Sequence, residues 1–287
     1  MVVIYTSDLH GNRELYLGLL DLAERKSAQA IIVGGDMLPI HGPFQSSLQE
    51  QRDFISGFLG PTLRNFLSNT SQVEFYAMLG NDDWQASTVH LEGLAEAGLL
   101  KLLHAQRHDL GDGYELIGYG HVPPTPFTIK DGERRDLTDD ATVGQRCTAC
   151  VSQGEKIVAI DPFRYFVNLE SIEEELSQLP GRRESWMRVY VMHSPPFSTH
   201  LDRMSDGRWI GSRAIRAFIE EQQPYVTLHG HIHESPEISG EYLDRIGKTV
   251  CINPGQSTEE LYAVSFELED VLGSVEHTVF GRPEPGA

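Results

Sequence analysis

Short apolar runs that end in polar turns recur along the first part of the sequence. The runs are 2–5, 30–33 and 73–79, and each is short enough to be a buried strand. The segments between them carry apolar residues at helical spacing, although Pro61 should interrupt the second, at 44–67. Alternating strands and helices predict an α/β fold, in which functional sites form at the carboxyl ends of the strands.

The same arrangement returns in the second half of the chain, where histidines follow the predicted strands. These strands are 114–118, 189–192, 225–228 and 249–252, and the first three lead to His121, to His193 and to a run with histidines at 229, 231 and 233. Because the polar residues stand at strand ends rather than within helices, they are candidates for one shared site.

Asp8 and His10 form the first of these polar tips, the groups of polar residues that directly follow the predicted strands. Residues i and i+2 of an extended segment point to the same side, so the two side chains can bind one metal ion together. A carboxylate oxygen with an imidazole nitrogen is a ligand set for Zn, Mn or Fe rather than for Ca or Mg alone. Asn12 can cap the following helix, whose positive end would face the same site. Taken alone, the pair also fits a polar turn that binds nothing.

The other tips have ordinary structural explanations as well. A histidine after a strand is usually a surface or hydrogen-bonded residue. Asn81 could simply cap the next helix, and His229 could pack within its strand end. The joint occurrence favours a functional site, because five separate strand ends carry Asp, His or Asn. If the strands run in one direction, these tips converge on one edge of the sheet.

The acidic composition limits the partners of this chain. A net charge of −19 and a pI of about 4.9 repel nucleic-acid backbones and anionic membranes. An anionic substrate would therefore need a local positive source, and bound metal ions are the obvious one. There is no membrane-spanning apolar run, no recognisable signal peptide, and only three cysteines. We therefore expect a cytoplasmic protein, and 287 residues allow one large domain or two small ones.

Residues 123–156 interrupt the alternation of strands and helices. The segment begins with a proline-rich loop at 123–126 and continues with a charged stretch at 130–140. Because it is long for a connection within a compact domain, we expect an insertion or lid that covers the site and restricts substrate size. Cys147 and Cys150 lie inside it and could form a redox pair or half of a zinc site, but no second pair with matching spacing follows.

Five ordered motifs resemble those of the calcineurin-like metallophosphoesterase superfamily. They are Asp8-x-His10, Gly35-Asp36, Gly80-Asn81, His193 and Gly230-His231-x-His233. The run 228–235 and the later Asn253-Pro254-Gly255 look like those of small bacterial and archaeal members. The resemblance implies a single domain over residues 1–287 with a four-layered αββα sandwich, two mixed β-sheets flanked by helices, and a metal site at the strand ends.

The resemblance also implies two adjacent metal ions, divalent or trivalent, with Mn, Fe or Zn as the candidates. Seven residues would supply the ligands: Asp8, His10 and His233 for the first ion, Asn81, His193 and His231 for the second, and Asp36 as the bridge. A bridging carboxylate holds two cations at about 3.5–4 Å, where they can share a hydroxide and clamp a phosphoryl group. That hydroxide would attack phosphorus in line with the departing oxygen.

One position departs from the superfamily pattern. The third motif usually reads Gly-Asn-His, and that histidine is taken as the acid that protonates the leaving group. Asp82 stands there in this sequence, and a carboxylate beside two cations should have a lowered pKa and remain ionised. His121, at another strand end, is a second candidate for the acid, although it could equally be a loop histidine. The general acid is therefore left unassigned, and both residues are candidates for a catalytic role.

These observations predict a dinuclear metal-dependent phosphoesterase acting on small phosphate esters, either phosphodiesters or activated phosphate esters. Two alternatives remain at this point. The same site could serve a phosphomonoesterase or a nucleotide pyrophosphohydrolase, or the chain could be a non-catalytic module that uses the metal pocket for binding. The presence of all seven ligands argues against the non-catalytic alternative. The oligomeric state is left open.

Overall fold

The computed structural model of this protein describes residues 1–70, 72–141 and 148–283. Within these ranges, two six-stranded mixed sheets stack face to face, and helices pack on the outer face of each. This is the αββα sandwich expected from the sequence. No helix in the described ranges combines the length and the apolar character needed to cross a bilayer.

The predicted apolar runs all form strands, and further strands extend both sheets. The strands in the described part of the chain are β1 (Val2–Thr6), β2 (Ala30–Val33), β3 (Glu74–Ala77), β4 (Lys101–Leu102), β5 (Arg107–Gly111), β6 (Tyr114–Tyr119), β7 (Ala149–Gln153), β8 (Lys156–Ile160), β9 (Met187–Met192), β10 (Val226–Leu228), β11 (Leu243–Ile246), β12 (Thr249–Ile252), β13 (Val264–Glu267) and β14 (Glu276–His277).

The order of the strands explains why the polar tips meet. The first sheet has the order β14-β13-β1-β2-β3-β4, and β1 to β4 are parallel neighbours. The second has the order β11-β12-β10-β9-β6-β5, and β12, β10, β9 and β6 are parallel neighbours. Each sheet therefore gathers several carboxyl ends at one edge. The two edges touch, since Nδ1 of His193 after β9 lies 2.9 Å from the carbonyl oxygen of Gly34 after β2.

Helices connect these strands. They are α1 (Arg13–Lys26), α2 (Ser47–Phe54), α3 (Gly60–Asn69), α4 (Thr88–Glu96), α5 (Pro162–Val167), α6 (Ile172–Ser177), α7 (Arg213–Gln222), α8 (Ser235–Ser239) and α9 (Val271–Ser274). Asn12 caps α1 as predicted, because its Oδ1 accepts hydrogen bonds from the backbone N–H groups of Glu14 and Leu15.

The helical path does not break at Pro61, contrary to the expectation from the sequence. α2 continues through a π-helical turn at Ile55–Leu59 directly into α3. Pro61 lies in the first turn of α3. Proline is tolerated in a first turn, and the wider π turn before it has already changed the hydrogen-bonding pattern.

Three apolar layers hold the sandwich together. Val3 and Tyr5 point inward from β1 toward the second sheet, whereas Ile4 between them points outward toward α1. Val191 of β9 joins the layer between the sheets, and Met192 packs on the opposite face with α6 and α7. This alternation on the central strands buries both faces of each sheet.

The predicted insertion is anchored by an ion pair inside the protein. Lys130 and Glu133 are both fully buried, with Nζ 3.0 Å from the carboxylate. Nζ also donates to the carbonyl oxygen of Thr125 at 2.8 Å. The hairpin of β7 and β8 runs beyond the predicted end at residue 156. Of the two cysteines in this segment, Cys150 is buried and Cys147 lies outside the described residues.

Candidate metal centre

Four of the predicted ligands have a backbone conformation that side-chain-bearing residues rarely adopt. Asp8, His10, Asp36 and His231 have φ angles of 59°, 43°, 47° and 66°. These values lie in the left-handed region, where a residue other than glycine carries a strain of about 1–3 kcal/mol. Such strain persists where the surrounding structure fixes it, and it concentrates at functional sites.

The first group of side chains consists of Asp8, His10 and His233. One ligand atom from each lies within 4.8 Å of the others. Nε2 of His233 is 3.1 Å from Oδ1 of Asp8 and 3.3 Å from Nε2 of His10. The three residues come from the tips after β1 and β10, so the contact between the two sheets creates this group.

The second group consists of Asp36, His193 and His231, again with ligand atoms within 4.8 Å of one another. Nε2 of His193 lies 3.2 Å from Oδ2 of Asp36 and 3.2 Å from Oδ1 of Asn81. A side chain at position 80 would disrupt this group, because a Cβ atom there would fall on Asp36 and on the His193 ring. The glycine before Asn81 is therefore required by close packing.

Asp36 lies between the two groups. Its carboxylate belongs to the group with His193 and His231. It also belongs to a third group of possible ligands, together with His10 and Asp82. Its Oδ1 accepts a hydrogen bond of 2.7 Å from the backbone N–H of Asp82. A carboxylate in this position can reach a cation in either group.

The hydrogen bonds around these groups fit a metal-binding role. The Nδ1–H of His193 can donate to the carbonyl oxygen of Gly34, which leaves the Nε2 lone pair facing Asp36 and Asn81. The backbone N–H of His231 contacts both carboxylate oxygens of Asp8, at 3.1 and 3.0 Å. Imidazole nitrogens and carboxylate oxygens directed at one another in a buried pocket suit Zn, Mn or Fe.

The protein groups alone shift several pKa values at this site. Burial lowers the pKa of His231 to about 3, and the nearby His193 acts in the same direction. Burial also opposes protonation of His193, but the charge and hydrogen bond of Asp36 outweigh it and raise the pKa to about 9. Burial, together with Asp36 and Asp83, raises the pKa of Asp82 to about 8. Bound cations would lower the pKa of Asp82, because they favour its ionised form.

Comparison with known families assigns the chain to one of them. A family model described as calcineurin-like phosphoesterase matches residues 1–235. The chain belongs to the calcineurin-like phosphoesterases. Membership makes it a phosphoric ester hydrolase, and members of this family use divalent metal ions and act on small phosphate esters. A search of curated protein sequences returned no match.

Solved structures agree on the phosphoesterase fold. One structure with 18% sequence identity aligns over 98% of this chain and 99% of its own, with a TM-score of 0.62. The protein TT1561 of Thermus thermophilus, 14% identical, covers 96% of this chain and 97% of its own with a TM-score of 0.59. A dimetal phosphatase from Danio rerio, 10% identical, covers 92% of this chain and 91% of its own with a TM-score of 0.52.

A cleft of about 440 Å³ opens beside the ligand groups of this phosphoesterase. Asp36, Asn81 and Asp82 line it, together with His231 and His233. Asp82 therefore lies at the surface of this cleft, beside the candidate ligands.

His121 has a different environment. It is buried, its Nδ1 lies 2.7 Å from Glu175, and the described residues that line the cleft do not include it. His229 is also buried, and its ring nitrogens lie within hydrogen-bonding distance of the carbonyl oxygens of Met192 and Ser194 and of Oγ1 of Thr227. These two histidines belong to the framework around the cleft in this structure.

Two residues that position ligands were not recognised from the sequence. The Asp83 carboxylate accepts hydrogen bonds from the backbone N–H groups of Met37, Leu38 and Gly80, which ties the tips after β2 and β3 together. Asn253 donates through Nδ2 to the carbonyl oxygens on either side of His231. The adjacency of Asp83 to a predicted ligand was a signal in the sequence, and so was the Asn253-Pro254-Gly255 motif, but the sequence did not indicate which groups the Asn253 side chain contacts more than twenty residues away.

Proposed function

We propose that this phosphoesterase is a dinuclear enzyme that hydrolyses phosphodiesters or activated phosphate esters. The observation that carries the proposal is the convergence of two carboxylates and four histidines, each within 4.8 Å of other possible ligands. In this proposal the seven ligands are those implied by the sequence motifs. The two cations are drawn from Mn, Fe and Zn, which the mixed nitrogen and oxygen donors favour.

Bound cations would supply Lewis acidity toward the phosphoryl oxygens and a more acidic water. The chain's own residues would hold the cations and keep the ligand groups in the right orientation. Asp36 would serve both cations, and the N–H of Asp82 and the turn at Gly80 fix the direction of its carboxylate. The water oxygen would bond to phosphorus, the bond from phosphorus to the alcohol oxygen would break, and that oxygen would take up a proton.

Two residues are candidates to influence that last proton transfer. Asp82 lines the cleft in which a leaving alcohol would lie in this proposal. His121 is held by Glu175, and the described residues that line the cleft do not include it. We therefore favour Asp82 as the residue that sets the leaving-group preference, and we keep His121 as the alternative source of a proton.

We also propose that the chain is a single domain with a lid formed by residues 123–156, and that it acts in the cytoplasm. The apolar layer shared by both sheets supports the single domain. Five consecutive residues of the predicted lid, 123–127, line the cleft, which supports a covering role. Cys150 and Cys251 are free thiols, in agreement with a reducing compartment.

The test combines metal analysis with a substrate panel. Protein loaded with Mn should contain two ions per chain and should hydrolyse a nitrophenyl phosphodiester faster than the matching monoester. His231→Ala should lose metal and activity together, whereas His41→Ala, an exposed histidine outside the centre, should lose neither. A preference for monoesters or nucleotide pyrophosphates would replace the diester proposal, and one ion per chain would contradict the dinuclear assignment.

A further inference from the structure

Two segments give the cleft beside the ligand groups an apolar lining. The first is the start of the insertion, and the second is the loop after β9. The apolar side chains that they contribute are Pro123, Pro124, Pro126, Phe127, Met204 and Ile210. Phe127 is 54% exposed, so part of its side chain forms the surface of the cleft. Such a lining is continuous with the residues that would hold the cations.

The charged groups in the same lining do not favour a polyanion. Among the described residues around the cleft, the carboxylates are Asp36, Asp82 and Glu234, and Arg208 is the lone arginine, with no lysine beside it. Nε of Arg208 lies 2.7 Å from Asp206, so a carboxylate already compensates its charge. The whole chain carries a net charge of −19. A second or third phosphate on a substrate would therefore meet no unpaired cationic side chain in the cleft.

The insertion side of this lining is held in place from inside the protein. Lys130 donates to the carbonyl oxygen of Thr125 and pairs with the buried Glu133, and Glu133 also accepts from the Thr125 hydroxyl. These bonds fix the chain between Pro124 and Phe127. A surface that is already ordered loses little conformational entropy when an apolar group packs on it.

We propose that this cleft binds the ester group that stays on phosphorus during hydrolysis, as a bulky apolar group packed on Phe127, Met204 and Ile210. The substrate class is then a phosphodiester with a single phosphate and an apolar, aryl-type ester group, rather than a nucleoside di- or triphosphate. The inference rests on the proposed function, because the phosphate of that diester lies at the metal ligands.

The first test varies only the group that does not leave. Phenyl 4-nitrophenyl phosphate and methyl 4-nitrophenyl phosphate share one leaving group, so the ratio of their kcat/KM values reports the apolar contact. Burial of a phenyl ring corresponds to a phenyl-to-methyl ratio of roughly tenfold or more on Mn-loaded protein. Phe127→Ala and Ile210→Ala should each reduce that ratio while two metal ions per chain remain. Phe163→Ala is the matched control, since Phe163 is 52% exposed and lies outside the cleft lining.

The second test measures binding without hydrolysis. Calorimetry on the Mn-loaded protein should show tighter binding of monomethyl phenylphosphonate than of monomethyl methylphosphonate, and Phe127→Ala should reduce the difference. Equal ratios and equal affinities for the phenyl and methyl compounds would overturn the inference while leaving the phosphoesterase proposal intact. Stronger hydrolysis of nucleoside diphosphates than of the phenyl diester would also overturn it. Phenyl-selective binding without hydrolysis of any ester would instead contradict the proposed function and support the apolar site.

Discussion

The buried ion pair of the insertion allows a sharp test of how the cleft lining is stabilised. Lys130→Met removes the ammonium group and keeps most of the side-chain volume. Glu133 then remains fully buried without its cation, and Thr125 loses the hydrogen bond that Nζ donates to its carbonyl oxygen. Breaking a buried pair by removing one partner costs about 3–5 kcal/mol, because an uncompensated charge is left inside the protein.

Urea unfolding at about pH 8.5, above the pKa of about 7 that Glu133 has beside Lys130, measures this cost. With a denaturant slope of about 3 kcal/mol per M, the midpoint of Lys130→Met should fall by about 1–2 M. The control is Arg25→Met, which breaks an exposed i,i+4 pair whose side chains are both 64% exposed. That pair should contribute no more than about 0.5 kcal/mol. Replacing both buried partners, as Lys130→Met with Glu133→Leu, should recover most of the loss.

The pH dependence of the loss has a defined sign. Burial already raises the pKa of Glu133 to about 7, although Lys130 opposes that effect. Without Lys130 the pKa rises further, so the folded variant holds a proton over a pH range in which the unfolded chain releases it. Its stability therefore falls as the pH rises through that range. The deficit relative to the unmodified protein should be larger near about pH 8.5 than near about pH 6. A deficit equal to that of Arg25→Met, or one that shrinks as the pH rises, would refute this account of the pair.

Three further predictions concern the metal centre. If Asp36 bridges, Asp36→Asn should deplete both ions in elemental analysis and Asp8→Asn chiefly one, and two ions retained in the first variant would exclude bridging. Gly80→Ala should lower metal affinity because its Cβ would collide with Asp36, whereas Gly93→Ala, which meets nothing within 4 Å, should leave metal affinity unchanged as measured by calorimetry. Asp82→His should raise the hydrolysis rate of alkyl esters about 10²–10⁴-fold, far more than that of nitrophenyl esters, since an imidazole can give a proton to a poor leaving group. A flat dependence of kcat/KM on leaving-group pKa in the unmodified protein would contradict that prediction.

The sequence predicted the central strands of the fold well because their pattern is local. The run that became β1 alternates between two buried faces, and the polar residues after it mark where the strand ends. The pairing of strands into two separate sheets was expected only from the family resemblance. The sequence of residues 114–118 does not indicate that β6 lies beside β9 rather than beside β3, because strand pairing depends on residues that are distant in the sequence.

Parts of the site were unpredictable for the same reason. The motif residues could be named from the sequence, but Asp83 and Asn253 act through backbone groups far along the chain. The left-handed conformation of Asp36 is another example, because aspartate adopts it more often than most residues do but the sequence does not indicate which aspartate will. Pro61 shows the opposite case, in which a strong local signal for a break is overridden by a π turn.

The left-handed backbone at Asp8, His10, Asp36 and His231 would couple the stability of this protein to its metal supply. At about 1–3 kcal/mol each, the four residues together weaken the fold by several kcal/mol, a large share of the net stability of a typical domain. Ions that bind only the folded chain offset this weakness by mass action. Cells short of metal would hold a larger unfolded fraction, and proteases would remove it. The abundance of this phosphoesterase would then follow metal availability without any change in its synthesis.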